Sequence, residues 1–235
     1  MTETTKTTTN EVVTPPVADK NKKSYYVNDD DYLLHVKLAV NNSNHAEIAP
    51  ILMNHGYTAA KIDIGKALYE TALEKQKEQV KEYGEQYTAT ENLTKAIANA
   101  TEDYMKHIKI ANVAFRNQHG VLSEIAALGE RKRTQAAWIT QANTFYKNLM
   151  AKAEYKTAMA SFGQTEAILT AASAKFIDVA NLYDQRQKEA GEAQTATKTR
   201  DNAIEALDVW FTDYSDIAII ALSDKPAFLE ILGLK

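Results

Sequence analysis

The chain has 235 residues, a formal net charge of −4 and no cysteine. Glycine (8) and proline (4) are scarce, while Ala, Lys, Glu, Gln and Thr are plentiful, which favours helices and argues against a many-stranded fold. The mild acidity gives no electrostatic reason to expect nucleic acid as a partner, and the lack of thiols excludes disulfides, thiolate metal sites and cysteine nucleophiles.

Residues 1–27 form a Thr- and Lys-rich segment with Pro15-Pro16 and few apolar side chains. Such a segment buries too little apolar surface to offset the entropy lost on ordering, so we predict a disordered tail, with a partner-binding segment as the alternative. The N-terminus lacks the apolar stretch of a secretory signal, and no apolar run approaches the roughly 20 residues of a membrane span. We therefore expect a soluble, cytoplasmic protein.

A first helix is predicted over about 30–54. Asn28 is a good N-cap, and the three aspartates that follow it are stabilised at the positive end of the helix dipole. The polar run Asn41–Asn44 marks a point where this helix can bend. A cation site of the EF-hand type is the alternative reading of the aspartates, but the glycine and the distal glutamate that such a loop needs are missing.

Two very short turns are predicted 107 residues apart. Gly56 can adopt the left-handed conformation that ends a helix and Thr58 can cap the next one, and Gly163 and Thr165 repeat this arrangement. A long helix is predicted after each turn, over about 58–118 and 165–222. In both segments a seam of mostly apolar and aromatic residues recurs at alternating intervals of four and three, which is typical of long helices packed as in a coiled coil.

A short amphipathic helix is predicted after each long one, over about 121–128 and 226–232. Pro226 suits the first turn of the second of these helices. Between the two long helices another helix is predicted over about 134–161, and its apolar stripe consists of Trp138, Phe145, Leu149 and Met159.

The two halves of the chain resemble each other. Lys81–Thr90 (KEYGEQYTAT) recurs as Lys188–Thr197 (KEAGEAQTAT), in register with the glycine turns. This repetition predicts that one helical unit occurs twice, as 28–133 and 134–235, within one domain. We predict an all-α, elongated antiparallel bundle with the long helices side by side about a pseudo-twofold axis; parallel long helices in tandem are the alternative.

The repeated middle of the long helices supplies the candidate site residues. Gly84-Glu85 and Gly191-Glu192 stand inside predicted helices, where glycine costs about 1 kcal/mol relative to alanine. Close packing of the two helices is the preferred explanation, and a hinge or a paired-carboxylate site is the alternative. Arg186 and Arg200 bracket this stretch, and we expect them to reach solvent or to pair with carboxylates. The five histidines match no metal or catalytic pattern and are interpreted as solvated or capping, so no metal or cofactor is predicted.

The C-terminal stretch carries a pattern of Trp, Asp-aromatic, Ile-Ala-x-Ile-Ala-Leu, a proline and Leu-Glu-x-Leu-Gly. These residues are Trp210, Asp213-Tyr214, Ile217–Leu222, Pro226 and Leu229–Gly233. This ending resembles that of a group of uncharacterised bacterial all-helical proteins, although Ile219 stands where their motif has an arginine. The resemblance implies a helical fold and a bacterial source, and it brings no known activity.

A long apolar seam without a cluster of chemistry-bearing residues favours a non-enzymatic protein for helical assembly or protein binding. Self-association or a protein partner is therefore expected. One alternative is a membrane-active protein of the elongated pore-forming toxin type, for which the run Ile217–Leu222 is the motive. The other is an enzyme or ligand binder with a site in the middle of the bundle.

Overall fold

The computed structural model describes residues 28–235, so the predicted tail at 1–27 lies outside the described residues. Within that range the chain forms eight helices and no strand, which confirms the all-α prediction. The helices are α1 (Asp29–Asn42), α2 (Ala49–Asn54), α3 (Ala59–Ala114), α4 (His119–Glu124), α5 (Gln135–Ala151), α6 (Ala153–Ala160), α7 (Glu166–Ala221) and α8 (Pro226–Leu232).

The long helices α3 and α7 form the axis of the molecule. Each has 56 residues, which corresponds to about 84 Å at 1.5 Å per residue. Gly65 near the start of α3 packs against Trp210 near the end of α7. Lys175 near the start of α7 binds Asp103 near the end of α3, with 2.6 Å between nitrogen and oxygen. The long helices are therefore antiparallel, as predicted.

A third helix joins this pair at each end. α1 packs where α3 begins and α7 finishes, and α5 packs at the opposite end, so two separate hydrophobic cores form. Each core takes side chains from both halves of the sequence. The α1-end core joins Tyr32–Ala72 to Leu207–Leu232, and the α5-end core joins Leu93–Phe115 to Leu122–Val179.

α1 and α5 begin with side-chain caps and present matching faces. Asn28 accepts a hydrogen bond from the backbone N–H of Asp31 at 2.9 Å, and Thr134 accepts one from Ala137 at 3.3 Å. The buried residues of the two segments lie 106 positions apart throughout. They are Tyr32, Leu33, Val36, Ala39, Val40 and Ser43 in the first and Trp138, Ile139, Ala142, Phe145, Tyr146 and Leu149 in the second.

The single helix predicted over 30–54 is wrong, because α1 and α2 are separate. Ser43 follows α1, and its buried hydroxyl bonds the carbonyl of Ala39 at 2.8 Å and the hydroxyl of Tyr214 at 2.6 Å. Pro50 lies in the first turn of α2, where its missing N–H is tolerated. In the interior of one continuous helix the same ring would clash with the preceding turn.

The helix predicted over 134–161 is also interrupted. Lys152 adopts extended backbone angles between α5 and α6, with φ −120° and ψ 133°. Its ammonium group pairs with Glu124 at 2.8 Å and donates to the hydroxyl of Tyr155 at 3.1 Å. Glu124 lies in α4, 28 residues before Lys152, so local sequence gave no sign of this ion pair.

The other helix boundaries differ less from the predicted ones. α3 ends at Ala114 instead of about 118, and the following short helix begins at His119 and ends at Glu124 instead of covering 121–128. Gly56 and Gly163 have positive φ angles of 86° and 76°, the conformation for which glycine was expected at both turns. Thr165 caps α7 through the N–H of Ile168 at 3.4 Å, whereas Thr58 makes no side-chain cap.

Candidate functional site at the waist

The middle of the α3–α7 pair lies between the starting points of α1 and α5. Gln76 donates a hydrogen bond to Asp30 in the first turn of α1 at 2.6 Å. Thr90 and Thr134, the N-cap of α5, line one surface depression. We call the stretch between these borders the waist, residues 77–89 of α3 and 187–199 of α7. Since Thr90 lies 14 positions after Gln76, the waist is about 21 Å long.

An apolar surface, the waist seam, consists of Val80, Tyr83 and Tyr87. These residues belong to the predicted seven-residue seam, on which Gln76 and Thr90 also lie. The three residues lie in the interval between the start of α1 and the start of α5. Val80 is 67% exposed and Tyr87 is 68% exposed. The Tyr83 hydroxyl lies 3.4 Å from the hydroxyl of Thr197 on α7. The waist therefore presents large apolar groups to solvent.

The glycines of the waist have room for a side chain. A Cβ atom built on Gly84 or Gly191 meets no other atom within 4 Å, apart from the backbone of its own helix. The expectation that these glycines allow close packing of α3 against α7 is therefore wrong. Close packing instead occurs at Gly65, where a Cβ atom would fall on the indole of Trp210. That glycine was not singled out from the sequence.

Gly84→Ala and Gly191→Ala are expected to stabilise the protein. Each replaces a solvent-exposed helix-interior glycine in open space, so each should raise the free energy of unfolding by about 0.8–1 kcal/mol. Urea unfolding followed by circular dichroism measures this change. A loss of stability in either variant would show that the glycine has a packing role after all.

Three carboxylates meet on one side of the waist. Oxygen atoms of Glu82, Glu189 and Glu192 all lie within 4.8 Å of one another. Lys188 pairs with Glu192 at 3.1 Å and with Glu189 at 3.9 Å, which offsets part of the negative charge. Such groupings are common among exposed ion pairs, which contribute little to stability. Carboxylate oxygens are also ligands for hard cations, and a ligand site in the middle of the bundle stays a prediction.

Glu85 does not join this cluster. It pairs with Lys81 at 3.2 Å, and Lys81 also lies 3.3 Å from Glu82. The same lysine–glutamate spacing occurs on α7, where Lys188 pairs with Glu192. The structure therefore brings Glu192 together with Glu82 and Glu189, whereas the sequence hypothesis placed it beside Glu85.

The two arginines lie at the borders of the waist in different surroundings. Arg200 is largely buried and pairs with Asp29 at the start of α1 and with Asp201 at 2.7 Å. Arg200 therefore pairs with carboxylates, which was one of the two arrangements expected for it. Arg186 is partly buried and donates to the side-chain oxygen of Gln187 at 2.7 Å. Arg200 thus fixes the start of α1 against α7.

A buried polar group in the α5-end core was missed by the sequence interpretation. His107 is only 1% exposed, and its ring nitrogens lie 2.9 Å from the hydroxyl of Tyr146 and 3.0 Å from the side-chain oxygen of Gln164. Burial lowers the pKa of His107 and raises the pKa of Tyr146. The interpretation of all five histidines as solvated or capping is therefore wrong for His107. Its position three residues after the seam residue Tyr104 was the available signal.

His107 should make the protein less stable in acid. Because its pKa is lowered in the folded state, the unfolded chain binds more protons below about pH 6.5. As the pH falls from about 6.5 towards the lowered pKa of His107, this one group should lower the free energy of unfolding by up to about 1.4 kcal/mol per pH unit. Above about pH 7 His107 should make the free energy of unfolding no more dependent on pH. The nearby charge of Asp103 opposes the lowering of the pKa, while Lys106 and Lys175 reinforce it.

Urea unfolding at several pH values tests this prediction. His107→Gln should lose less stability between pH 7 and pH 5 than the parent protein, because the variant lacks the imidazole that titrates. The titration of carboxylates is common to both proteins and cancels in the comparison. His119→Gln, at an exposed position, serves as the control and should follow the parent protein. Identical slopes for the parent protein and His107→Gln would contradict the prediction.

The fold and the site define an elongated helical bundle protein with a two-helix waist. Comparison with known proteins gave no match to any family model, curated protein or solved structure. The resemblance of the C-terminal stretch to bacterial helical proteins therefore stays a prediction. Within residues 28–235, no helix combines the length and the apolar character needed to cross a bilayer.

Proposed function

We propose that the protein is a non-enzymatic assembly protein that associates with a second copy of itself through the waist. The observation that carries this proposal is the waist seam, because Val80 and Tyr87 are exposed in the middle of a seam that is covered at both ends. Exposed aromatic and aliphatic groups that lie together are typical of protein interfaces.

The dimensions of the waist favour a second copy. The interval between the starts of α1 and α5 is about 21 Å, and two helices of about 10 Å diameter side by side are about 20 Å wide. The waist of one molecule would thus fit between the start of α1 and the start of α5 of a second molecule, if the two α3–α7 pairs cross at a steep angle. Such an interface uses the same surface on both partners, as in most homodimers.

The proposal includes an internal duplication, with 28–133 and 134–235 as two copies of one ancestral unit. α3 and α7 begin and end 107 residues apart, and α4 and α8 begin 107 residues apart. The side-chain amide of Asn148 donates to the carbonyl of Glu124 at 2.6 Å, and that of Asn42 donates to Ile231 at 2.6 Å. Similar contacts at similar places in both halves support a common origin.

Light scattering and sedimentation equilibrium over a concentration series test the assembly proposal. The parent protein should reach the mass of two chains, and Val80→Ser/Tyr87→Ser should weaken association at least tenfold, or about 1.4 kcal/mol. The control is Ile64→Ser/Val209→Ser, which removes one exposed apolar group of α3 and one of α7 outside the waist. A parent protein that stays monomeric at the highest attainable concentration would overturn the proposal.

A further inference from the structure

A buried hydrogen-bonded cluster connects the glycine turn between α6 and α7 to the rest of the α5-end core. His107 of α3 lies 2.9 Å from the hydroxyl of Tyr146 on α5 and 3.0 Å from the side-chain oxygen of Gln164. Gln164 immediately follows Gly163 in the turn and is only 5% exposed. One imidazole therefore joins this turn to both α3 and α5.

The hydrogen bonds of the cluster fit a neutral imidazole. The side-chain N–H of Gln164 donates to the carbonyl of Phe162 at 3.2 Å, so the side-chain oxygen faces His107 and accepts from Nε2–H. Nδ1 of His107 then accepts from the hydroxyl of Tyr146. Within residues 28–235 this hydroxyl makes no other hydrogen bond. A proton added to Nδ1 would thus meet the hydrogen of a hydroxyl group that has no second acceptor.

The charges around His107 do not compensate for a second proton. Asp103 of α3 favours the imidazolium form, but it pairs with Lys175 of α7 at 2.6 Å, and Lys106 of α3 opposes that form. α5 and the turn contribute only the neutral side chains of Tyr146 and Gln164. Burial is the largest effect and lowers the pKa of His107. An imidazolium is therefore more stable where water reaches the ring.

α6 and the turn that follows it are the part of this end that can separate at the lowest cost. α6 has eight residues and buries only Tyr155 and Met159, whereas α5 buries six residues. The ion pair between Lys156 and Glu166 crosses the turn at the surface with a separation of 2.8 Å, and such pairs contribute little to stability. Local opening that brings water to His107 is thus expected at α6.

The corresponding turn at the other end of the molecule is joined to its core by hydroxyl groups. The residues 107 positions away from His107 and Gln164 are Tyr214 and Tyr57, whose ring centroids lie 5.4 Å apart. The hydroxyl of Tyr214 bonds that of Ser43 at 2.6 Å. Burial raises the pKa of both tyrosines, that of Tyr214 to about 12. These phenols therefore stay neutral throughout the acid range.

The histidines of the α1 end occupy different positions. His45 and His55 are exposed, so water reaches their rings in the folded protein. His35 on α1 is partly buried, which lowers its pKa, and its ring centroid lies 5.4 Å from that of Phe211. Protonation of His35 would therefore act on α1 rather than on the turn between α2 and α3.

We propose that the α5 end is a pH-sensitive switch, in which a proton on His107 releases Gln164, opens the turn between α6 and α7 and frees α6 from the bundle. The proton comes from solvent and returns to it when the pH rises, so the change is reversible. The turn between α2 and α3 stays closed, so apolar surface from Tyr155 and Met159 appears at one end only. This local opening differs from a general loss of stability in acid and does not depend on self-association through the waist.

Hydrogen exchange of the full chain at pH 7 and pH 5 tests the switch. Protection factors, which correct for the intrinsic effect of pH on exchange, are compared between residues 155–164 and the corresponding residues 48–57. An imidazole that is neutral in the closed form and has an ordinary pKa of about 6.5 in the open form makes opening up to about 25-fold more favourable at pH 5. Protection of 155–164 should fall by about 5- to 25-fold, and that of 48–57 by less than about twofold.

Three variants assign the effect to the imidazole. His107→Gln has no group that titrates in this range, so protection of 155–164 should be the same at both pH values. His35→Gln removes the partly buried histidine of α1 and should keep the response of the parent protein. Glu166→Gln breaks the ion pair across the same turn and leaves His107 in place, so it should lower protection by the same factor at both pH values.

Each outcome of the exchange experiment decides the inference. A fall in protection that is confined to residues 155–164 and disappears in His107→Gln supports the switch. An equal fall in both segments would mean that acid destabilises the whole bundle, and it would overturn the switch. Unchanged protection of 155–164, or a full response in His107→Gln, would overturn it as well. The comparison of the two segments within the parent protein decides the question even if His107→Gln does not fold.

Discussion

Phe176→Ala is expected to lower the free energy of unfolding by about 3–5 kcal/mol. Phe176 is fully buried in the α5-end core, where its ring centroid lies 5.2 Å from that of Trp138 and 5.5 Å from that of Tyr104. Tyr146 completes the cluster at 5.7 Å. Truncation would leave a cavity among rigid rings that cannot collapse without leaving their preferred rotamers. Urea or guanidinium unfolding followed by circular dichroism measures the loss.

The neighbouring Ile177→Ala provides the control for this prediction. Ile177 is exposed on the same turn of α7, so its truncation should change the free energy of unfolding by no more than about 0.5 kcal/mol. Similar losses for the two variants would mean that the cluster around Phe176 does not form the core described above.

Gly65→Ala is expected to destabilise the protein by about 1–3 kcal/mol, although alanine favours helices. The indole of Trp210 occupies the space that the new Cβ atom needs. Trp210 is held in place by the ring of Tyr214, which is stacked at 5.1 Å with an interplanar angle of 7°, and by the edge of Tyr57 at 6.2 Å. Relief of the clash would therefore break these ring contacts or shift α7 away from α3.

A double-mutant cycle separates the clash from other effects of the substitution. In a Trp210→Leu background the cost of Gly65→Ala should fall below about 1 kcal/mol, because the obstructing ring is gone. Gly84→Ala, at a glycine with open space, should raise stability in the same assay. An equal cost of Gly65→Ala with and without Trp210 would rule out the clash as its cause.

The long helices and their turns could be predicted because their signals are local. Gly56 and Gly163 need a positive φ angle, and a seam repeated every seven residues identifies a long helix from the spacing alone. The separation of α1 from α2 had a local signal in Pro50, which the prediction of one helix overlooked, because proline is not tolerated in a helix interior. The interruption at Lys152 had no such signal, since its partner Glu124 is distant in sequence and approaches only in the folded chain.

The reason for the repeated glycines in the long helices was not predicted. Repetition of Gly84 and Gly191 directed attention to the middle of the long helices, but their surroundings show no close contact that would require glycine. The exposure of Val80 and Tyr87 depends on where α1 and α5 begin, which no residue of α3 encodes. The burial of His107 likewise depends on Gln164, which follows the second glycine turn.

Both cores draw on both halves of the sequence, since the α1-end core needs Leu207–Leu232 and the α5-end core needs Leu93–Phe115. A polypeptide of one half alone would therefore leave much of its long helix without a partner. Two such polypeptides could supply each other with what is missing and rebuild the same bundle as a symmetric pair. Under the internal duplication proposed above, such a homodimer would be the ancestor of the present chain, and the segment between α4 and α5 would be the join.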